Sequence, residues 1–183
     1  MKKYLLKILL IFIFFSHLLL GDCGGSISFI ETAQKADLVA LVKKVDQYYF
    51  DIEMILIIEV IKGDPCNEGI LVFDKSPCFT ERALLRGNFG DTLLVAINKH
   101  TDEVECDTEI FRYIEKPNCR NYFTDICGNN SLIYHNGLVS GSITKRFGNI
   151  YENGEYKEYG QYDEEKMLYK VVYERITEKL NIE

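Results

Sequence analysis

All six cysteines of this 183-residue chain follow an apolar leader, and this arrangement constrains the fold more than any other sequence feature. They are Cys23, Cys66, Cys78, Cys106, Cys119 and Cys127. An even number of cysteines in an exported chain predicts three structural disulfides. About fifteen connectivities are open for six cysteines, and spacing alone does not choose among them. The absence of a Cys-x-x-Cys pair argues against a zinc cluster or a redox centre.

Residues 1–21 predict a secretory signal peptide. Lys2 and Lys3 precede an apolar run that extends to Phe15, and the small residue Gly21 follows. A basic start, a short apolar segment and a small residue are typical of export signals, whereas a bilayer span needs about 20 apolar residues. We therefore expect a secreted protein, extracellular or periplasmic, without a transmembrane span after cleavage. An uncleaved anchor is the alternative.

The predicted mature chain is acidic. Removal of the leader leaves 18 basic and 28 acidic residues and a formal net charge of −10. Nucleic-acid affinity comes largely from Lys and Arg displacing counterions, and no basic stripe is present. Nucleic acid is therefore not expected as a partner.

Short apolar runs separated by turn signals predict a mainly β fold, either a barrel or a sandwich. The predicted strands are Asp37–Val45, a run at Tyr48–Ile61, Gly69–Asp74, Thr92–Asn98, Glu109–Ile114, Tyr122–Cys127, Ser131–His135 and Leu138–Thr144. Asn136-Gly137 predicts a two-residue hairpin between the last two.

Two helices are predicted, one near each end of the mature chain. The first is short and lies within Ile27–Ala36. The second begins at Asp163-Glu164-Glu165, where acidic side chains suit a helix start, and carries an apolar stripe that would pack on the β core. Residues 145–162 have no clear period and predict a loop or an irregular hairpin.

The order of several short motifs resembles the tissue inhibitor of metalloproteinases family, and more closely its bacterial-type secreted relatives. The motifs are Cys23, Glu31–Val39, Ile58–Gly63, Cys78, Gly90–Val95 and Thr124–Gly128, so the likeness covers roughly residues 23–132. It implies an OB-fold-like five-stranded barrel with a disulfide-tied N-terminal segment. The expected fold is mainly β, with a barrel domain at 22–144 and a loop and C-terminal helix packed on it at 145–183.

The family pattern implies that Cys78 and Cys127 each clamp the N-terminal segment, but this chain departs from that pattern. Members begin with Cys-x-Cys, whereas here Gly21-Asp22 precedes a single Cys23. The resemblance favours Cys23–Cys127, with Cys66–Cys78 and a local Cys106–Cys119 bridge. The alternative is Cys23–Cys78 with Cys66–Cys127.

The family resemblance also implies a mechanism of inhibition. In the family the free amine and carbonyl of a leading cysteine chelate the protease zinc, which has an open coordination position. The segment of this chain that would contact a protease is Cys23, Gly24 and Gly25. Cleavage after Gly21 would leave Asp22 first and remove the chelating amine, and lipoprotein anchoring at Cys23 would usually acylate it. A non-catalytic, secreted protein-binding module is therefore the first expectation, and metalloprotease inhibition is the alternative.

An enzyme is not expected. His100 and His135 are the mature chain's two histidines, and neither has the spacing to Ser or Cys of a catalytic triad. Acidic residues are plentiful, but no pair is singled out for glycoside hydrolysis, so a secreted hydrolase stays a minor alternative. No cofactor and no intrinsic metal site are expected, and Cys23 could chelate a protease zinc only as the N-terminal residue. Asn129-Asn130-Ser131 forms a glycosylation sequon with meaning only in a eukaryotic secretory pathway.

Overall fold

The computed structural model describes residues 25–48, 52–73, 85–99, 121–124, 128–152 and 155–180. Within these ranges the strands, in chain order, are β1 Gly25–Ser26, β2 Leu38–Tyr48, β3 Ile52–Lys62, β4 Gly69–Phe73, β5 Thr92–Lys99, β6 Asn121–Phe123, β7 Ser131–His135, β8 Leu138–Gly141, β9 Phe147–Glu152, β10 Glu155–Glu158 and β11 Glu165–Leu168. The helices are α1 Phe29–Lys35 and α2 Tyr169–Leu180.

Five strands close into a barrel. Strand β2 pairs antiparallel with β3 on one side and with β5 on the other, and β3 continues to β4. Strand β6 closes the ring because it pairs parallel with β4 and antiparallel with β5. The predictions of a mainly β fold, a five-stranded barrel and two flanking helices are confirmed.

Residues alternate along β2 between the inside and the outside of the barrel. Leu38, Ala40 and Val42 belong to the barrel interior. Val39 and Leu41 point the other way, into a second core that contains side chains of both helices. This period of two explains why all five β2 residues from Leu38 to Val42 are apolar, since the strand is buried on both faces there.

Further strands extend the molecule beyond the barrel. Strands β7, β8 and β11 continue the sheet outward from β5, while β1, β9 and β10 form a separate three-stranded sheet. The predicted hairpin at Asn136-Gly137 is confirmed. Both residues have positive φ, +50° and +80°, as a type I′ turn requires.

Helix α1 begins with a capping box. Ser28 accepts a hydrogen bond from the Glu31 amide, and the Glu31 carboxylate accepts one from the Ser28 amide. These reciprocal bonds satisfy two amides that a helix start leaves unpaired. The buried residues Phe29, Ile30, Thr32 and Ala33 turn the other face of this seven-residue helix toward the core.

Helix α2 starts later than the sequence predicts. Instead of helix, residues from Glu165 onward form β11, which pairs with β8, and the helix begins at Tyr169. The Glu165 carboxylate accepts hydrogen bonds from the amides of Ile143 and Thr144 at 2.7 and 2.6 Å. This contact ties Glu165 to the segment that directly follows β8, and pairing with β8 outweighs the acidic helix-start signal.

Several predictions lie outside the described residues. They are the signal peptide, the N-terminal Cys23 and Gly24, the strand Glu109–Ile114, and the cysteines Cys78, Cys106, Cys119 and Cys127. Cys66, in the β3–β4 connection, is the one cysteine within them and is not a free thiol. Each predicted disulfide involves a residue outside the described ranges, so the pairings stay predictions.

Candidate functional site

The described chain begins in a strand that holds the N-terminal segment against the molecule. Gly25 and Ser26 form β1, opposite Gly148 and Phe147 of β9. The amides of Phe29 and Ile30 then donate to the carbonyls of Ser142 and Ile143. The segment that follows Cys23 is thus anchored within two residues of it.

Glu31 links α1 to the segment that joins β8 and β9. Its carboxylate forms an ion pair with Arg146, whose Nε donates to both carboxylate oxygens at 2.9 and 3.0 Å. Arg146 also donates to the Tyr159 hydroxyl at 2.9 Å and lies over the Tyr159 ring. The hydrogen bonds from Arg146 are the largest cause that lowers the pKa of Glu31 to about 2, so the carboxylate stays ionised at neutral pH.

A cavity of about 650 Å³ opens beside this ion pair. One wall comes from α1 and contains Ile30 and Glu31, and a second contains Arg146 and Tyr159. The third wall is α2, which contributes Arg175 and Glu178. The volume lies in the range of small-molecule sites, which are commonly several hundred Å³.

A second ion pair lies inside the barrel. Lys44 Nζ is 2.5 Å from Glu53 Oε1, and both side chains are almost completely buried. Lys44 also donates to the carbonyls of Leu85 and Gly87 at 3.1 and 3.2 Å. The carboxylate oxygens of Glu53 have no well-formed hydrogen bond beyond this charge contact. Burial raises the pKa of Glu53, and Lys44 opposes that rise.

The β2–β3 hairpin carries four exposed apolar side chains. We call Val45, Leu56, Ile58 and Val60 the hairpin surface; their exposed fractions are 42, 39, 56 and 40%. Single exposed apolar residues are ordinary on any protein, but four on one hairpin are a feature to explain.

Residues singled out from the sequence do not converge on one site. His135 lies exposed at the end of β7, with its Nε2 2.9 Å from the Asn136 side-chain amide. His100 lies outside the described residues. Asn129, the acceptor of the sequon, is buried, and its side-chain amide donates to the Ser142 carbonyl at 2.6 Å. In the folded protein this nitrogen already donates a hydrogen bond and is buried, so a glycosylating enzyme cannot reach it.

Two features of the site escaped the sequence reasoning although each has a signal. Ser28-Phe29-Ile30-Glu31 is a capping-box pattern, which predicts a hydrogen-bonded carboxylate at a helix start. Lys44 occupies the inward position that follows Ala40 and Val42 at a period of two, which predicts a cation inside the barrel. Its partner Glu53 lies on β3 two residues before Ile55, which pairs with Lys44 across the hairpin, and local sequence patterns do not show this proximity.

Comparisons with family models, curated proteins and solved structures give no match to this chain. Among the described residues, no group of three or more His, Cys, Asp or Glu side chains could hold a metal ion. No helix in that part of the chain is long and apolar enough to cross a membrane.

Proposed function

We propose that this chain is a secreted, non-catalytic protein-binding module of the kind found in tissue inhibitors of metalloproteinases. The fold in this proposal is an OB-fold-like barrel stapled by three disulfides. A closed five-stranded barrel in which β4 lies parallel to β6 supports it, as does the anchoring of the N-terminal segment by β1.

The observation that carries the proposal is the hairpin surface. Ile58 is more than half exposed, and Leu56 lies two residues before it on the same strand. Apolar area in water has a free-energy cost of about 25 cal/mol per Å², which a protein partner would remove on binding. The net negative charge of the chain disfavours phosphate backbones and anionic lipid as partners.

Photo-cross-linking in the exporting cell tests the proposal. A benzophenone amino acid at Ile58 should give one dominant adduct with an extracellular or periplasmic protein. Leu168, which is 58% exposed on β11, is the matched control position and should not give that adduct. The variant Ile58→Lys should lose the partner in a pull-down while keeping its thermal stability. Equal adducts at both positions, or none at either, would rule out the hairpin surface as a contact site.

Metalloprotease inhibition is the second candidate. One observation favours it: β1 holds the chain at Gly25, two residues after Cys23, so a leading cysteine would sit on an anchored segment. Pre-ordering of such a segment lowers the entropy cost of binding. The mechanism requires a free Cys23 amine to chelate the protease zinc.

Intact mass and N-terminal sequencing of the exported, non-reduced protein are the first step in testing this candidate. A free N-terminal Cys23 with three disulfides would permit the mechanism, and acetylation of that amine should then abolish inhibition of a metalloprotease panel. A mature chain that begins with Asp22, or one lipidated at Cys23, would eliminate amine chelation and leave the binding-module proposal unaffected.

A further inference from the structure

The cavity bordered by α1, α2 and Arg146 has an uneven distribution of charge. Glu31 and Arg146 neutralise each other across one side, as their ion pair shows. On the α2 wall, Arg175 and Glu178 lie three residues apart. Within the described part of the chain, neither of these two takes part in a hydrogen bond or an ion pair. Both side chains are exposed, so the α2 wall presents one cation and one anion that a ligand can reach.

This arrangement selects among ligand classes by charge complementarity. A simple anion would pair with Arg175 but would be repelled by Glu178, and a simple cation would meet the opposite problem. A ligand that carries both a carboxylate and an ammonium group satisfies both side chains. Arginine binds a carboxylate through two parallel N–H bonds, and a glutamate accepts hydrogen bonds from an ammonium group.

The remaining walls suit the rest of such a ligand. Ile30 supplies a buried apolar surface on α1, and Tyr159 supplies an aromatic side chain to another wall. Because Tyr159 is fixed by its hydrogen bond with Arg146, this wall is formed before any ligand arrives. Pre-formed walls reduce the ordering cost of binding.

We propose that this cavity binds a small zwitterion, an α-amino acid with an apolar side chain. Its carboxylate pairs with Arg175, its ammonium group with Glu178, and its side chain lies between Ile30 and Tyr159. The site is separate from the hairpin surface, so it does not depend on the protein-binding proposal.

Calorimetric titration with three probes tests the ligand chemistry. L-leucine has both charges, N-acetyl-L-leucine lacks the ammonium group, and L-leucinamide lacks the carboxylate. We expect leucine to bind and each blocked analogue to bind at least about tenfold more weakly, since each loses a charge-assisted hydrogen bond. Equal affinity for all three probes, or no binding of leucine up to about 10 mM, would overturn the proposal.

Matched variants on α2 test the assigned residues. Arg175→Gln and Glu178→Gln should each weaken leucine binding by about tenfold. Lys170→Gln and Glu174→Gln make the same charge changes on the same helix, at an exposed pair outside the cavity, and should leave leucine affinity within about twofold. Thermal melts show whether all four variants fold. An equal loss of affinity in the control variants would show that the helix charge acts non-specifically and would refute the assignment.

Discussion

At the residue scale, the Lys44–Glu53 pair carries a desolvation cost inside the barrel. Two charges have left water, since both side chains are almost completely buried. Pairing and the two carbonyls that accept from Lys44 offset part of the desolvation cost. Such a pair contributes little net free energy of folding. Removal of either side chain, however, leaves the other charge buried without a partner, which is strongly destabilising.

The variant Glu53→Leu should therefore destabilise the protein by about 3 to 5 kcal/mol, because it leaves the Lys44 cation buried without its counter-charge. The double variant Lys44→Met/Glu53→Leu should recover most of that loss, since neither charge is then buried. Urea unfolding of both variants and the wild type measures the two free energies. A double variant no more stable than the single one would show that the pair itself stabilises the barrel.

The Glu31–Arg146 pair predicts a pH dependence of stability. Glu31 has a folded-state pKa of about 2, below its ordinary 4.5, so its ion pair stabilises the fold above pH 4.5 and loses that contribution as pH falls toward 2. Glu31→Gln keeps a hydrogen-bonding side chain at the helix start but removes the charge. At pH 7 it should cost about 1 to 2 kcal/mol.

Unfolding free energies of wild type and Glu31→Gln between pH 2 and pH 7 measure this dependence. The two curves should converge as pH falls below 4.5. A difference that stays constant across this range would mean that the charge of Glu31 does not stabilise the fold.

At the element scale, the end of β3 comes very close to the start of β2. Gly63 has a φ of +91°, and a Cβ at this position would overlap the carbonyl oxygen of Asp37. Gly90 has a similar φ of +87° but has no atom within 4 Å of that Cβ position. Substitution at Gly90 therefore tests backbone strain alone, whereas substitution at Gly63 tests backbone strain together with steric overlap.

Gly90→Ala should cost about 1 to 2 kcal/mol, from backbone strain alone. Gly63→Ala should cost at least about 1 kcal/mol more, because the two backbone segments must also move apart. Chemical denaturation of both variants gives the comparison. Equal losses of unfolding free energy would mean that the end of β3 can move away from the start of β2 without a free-energy cost.

Sequence patterns predicted most of these elements but not what they bring together. Local signals sufficed for α1, for the Asn136-Gly137 hairpin and for the apolar strands, because each depends on neighbours in the chain. They failed at β11, where pairing with β8 overrides an acidic helix start. They could not place Arg146 beside Glu31, since 115 residues separate the two and only the folded chain makes them adjacent.

At the scale of the whole molecule, two cores share the same central strands. In β5, Leu93 and Val95 face the barrel interior. Leu94 and Ala96 face the second core, which contains side chains of both helices and which we call the outer core. Strand β2 divides its side chains in the same way. Loss of packing in either core would therefore expose one face of a strand whose other face belongs to the other of the two cores.

This sharing predicts a single cooperative unfolding transition. Ile55→Ala in the barrel and Ile176→Ala on α2 both remove a fully buried side chain, and each should cost about 2 to 5 kcal/mol. Both should lower one common midpoint, with tyrosine near-ultraviolet circular dichroism and far-ultraviolet circular dichroism changing together. If Ile176→Ala instead melted α2 early while barrel amides kept their hydrogen-exchange protection, the outer core would be a separate folding unit. The shared strands would then not couple the two cores.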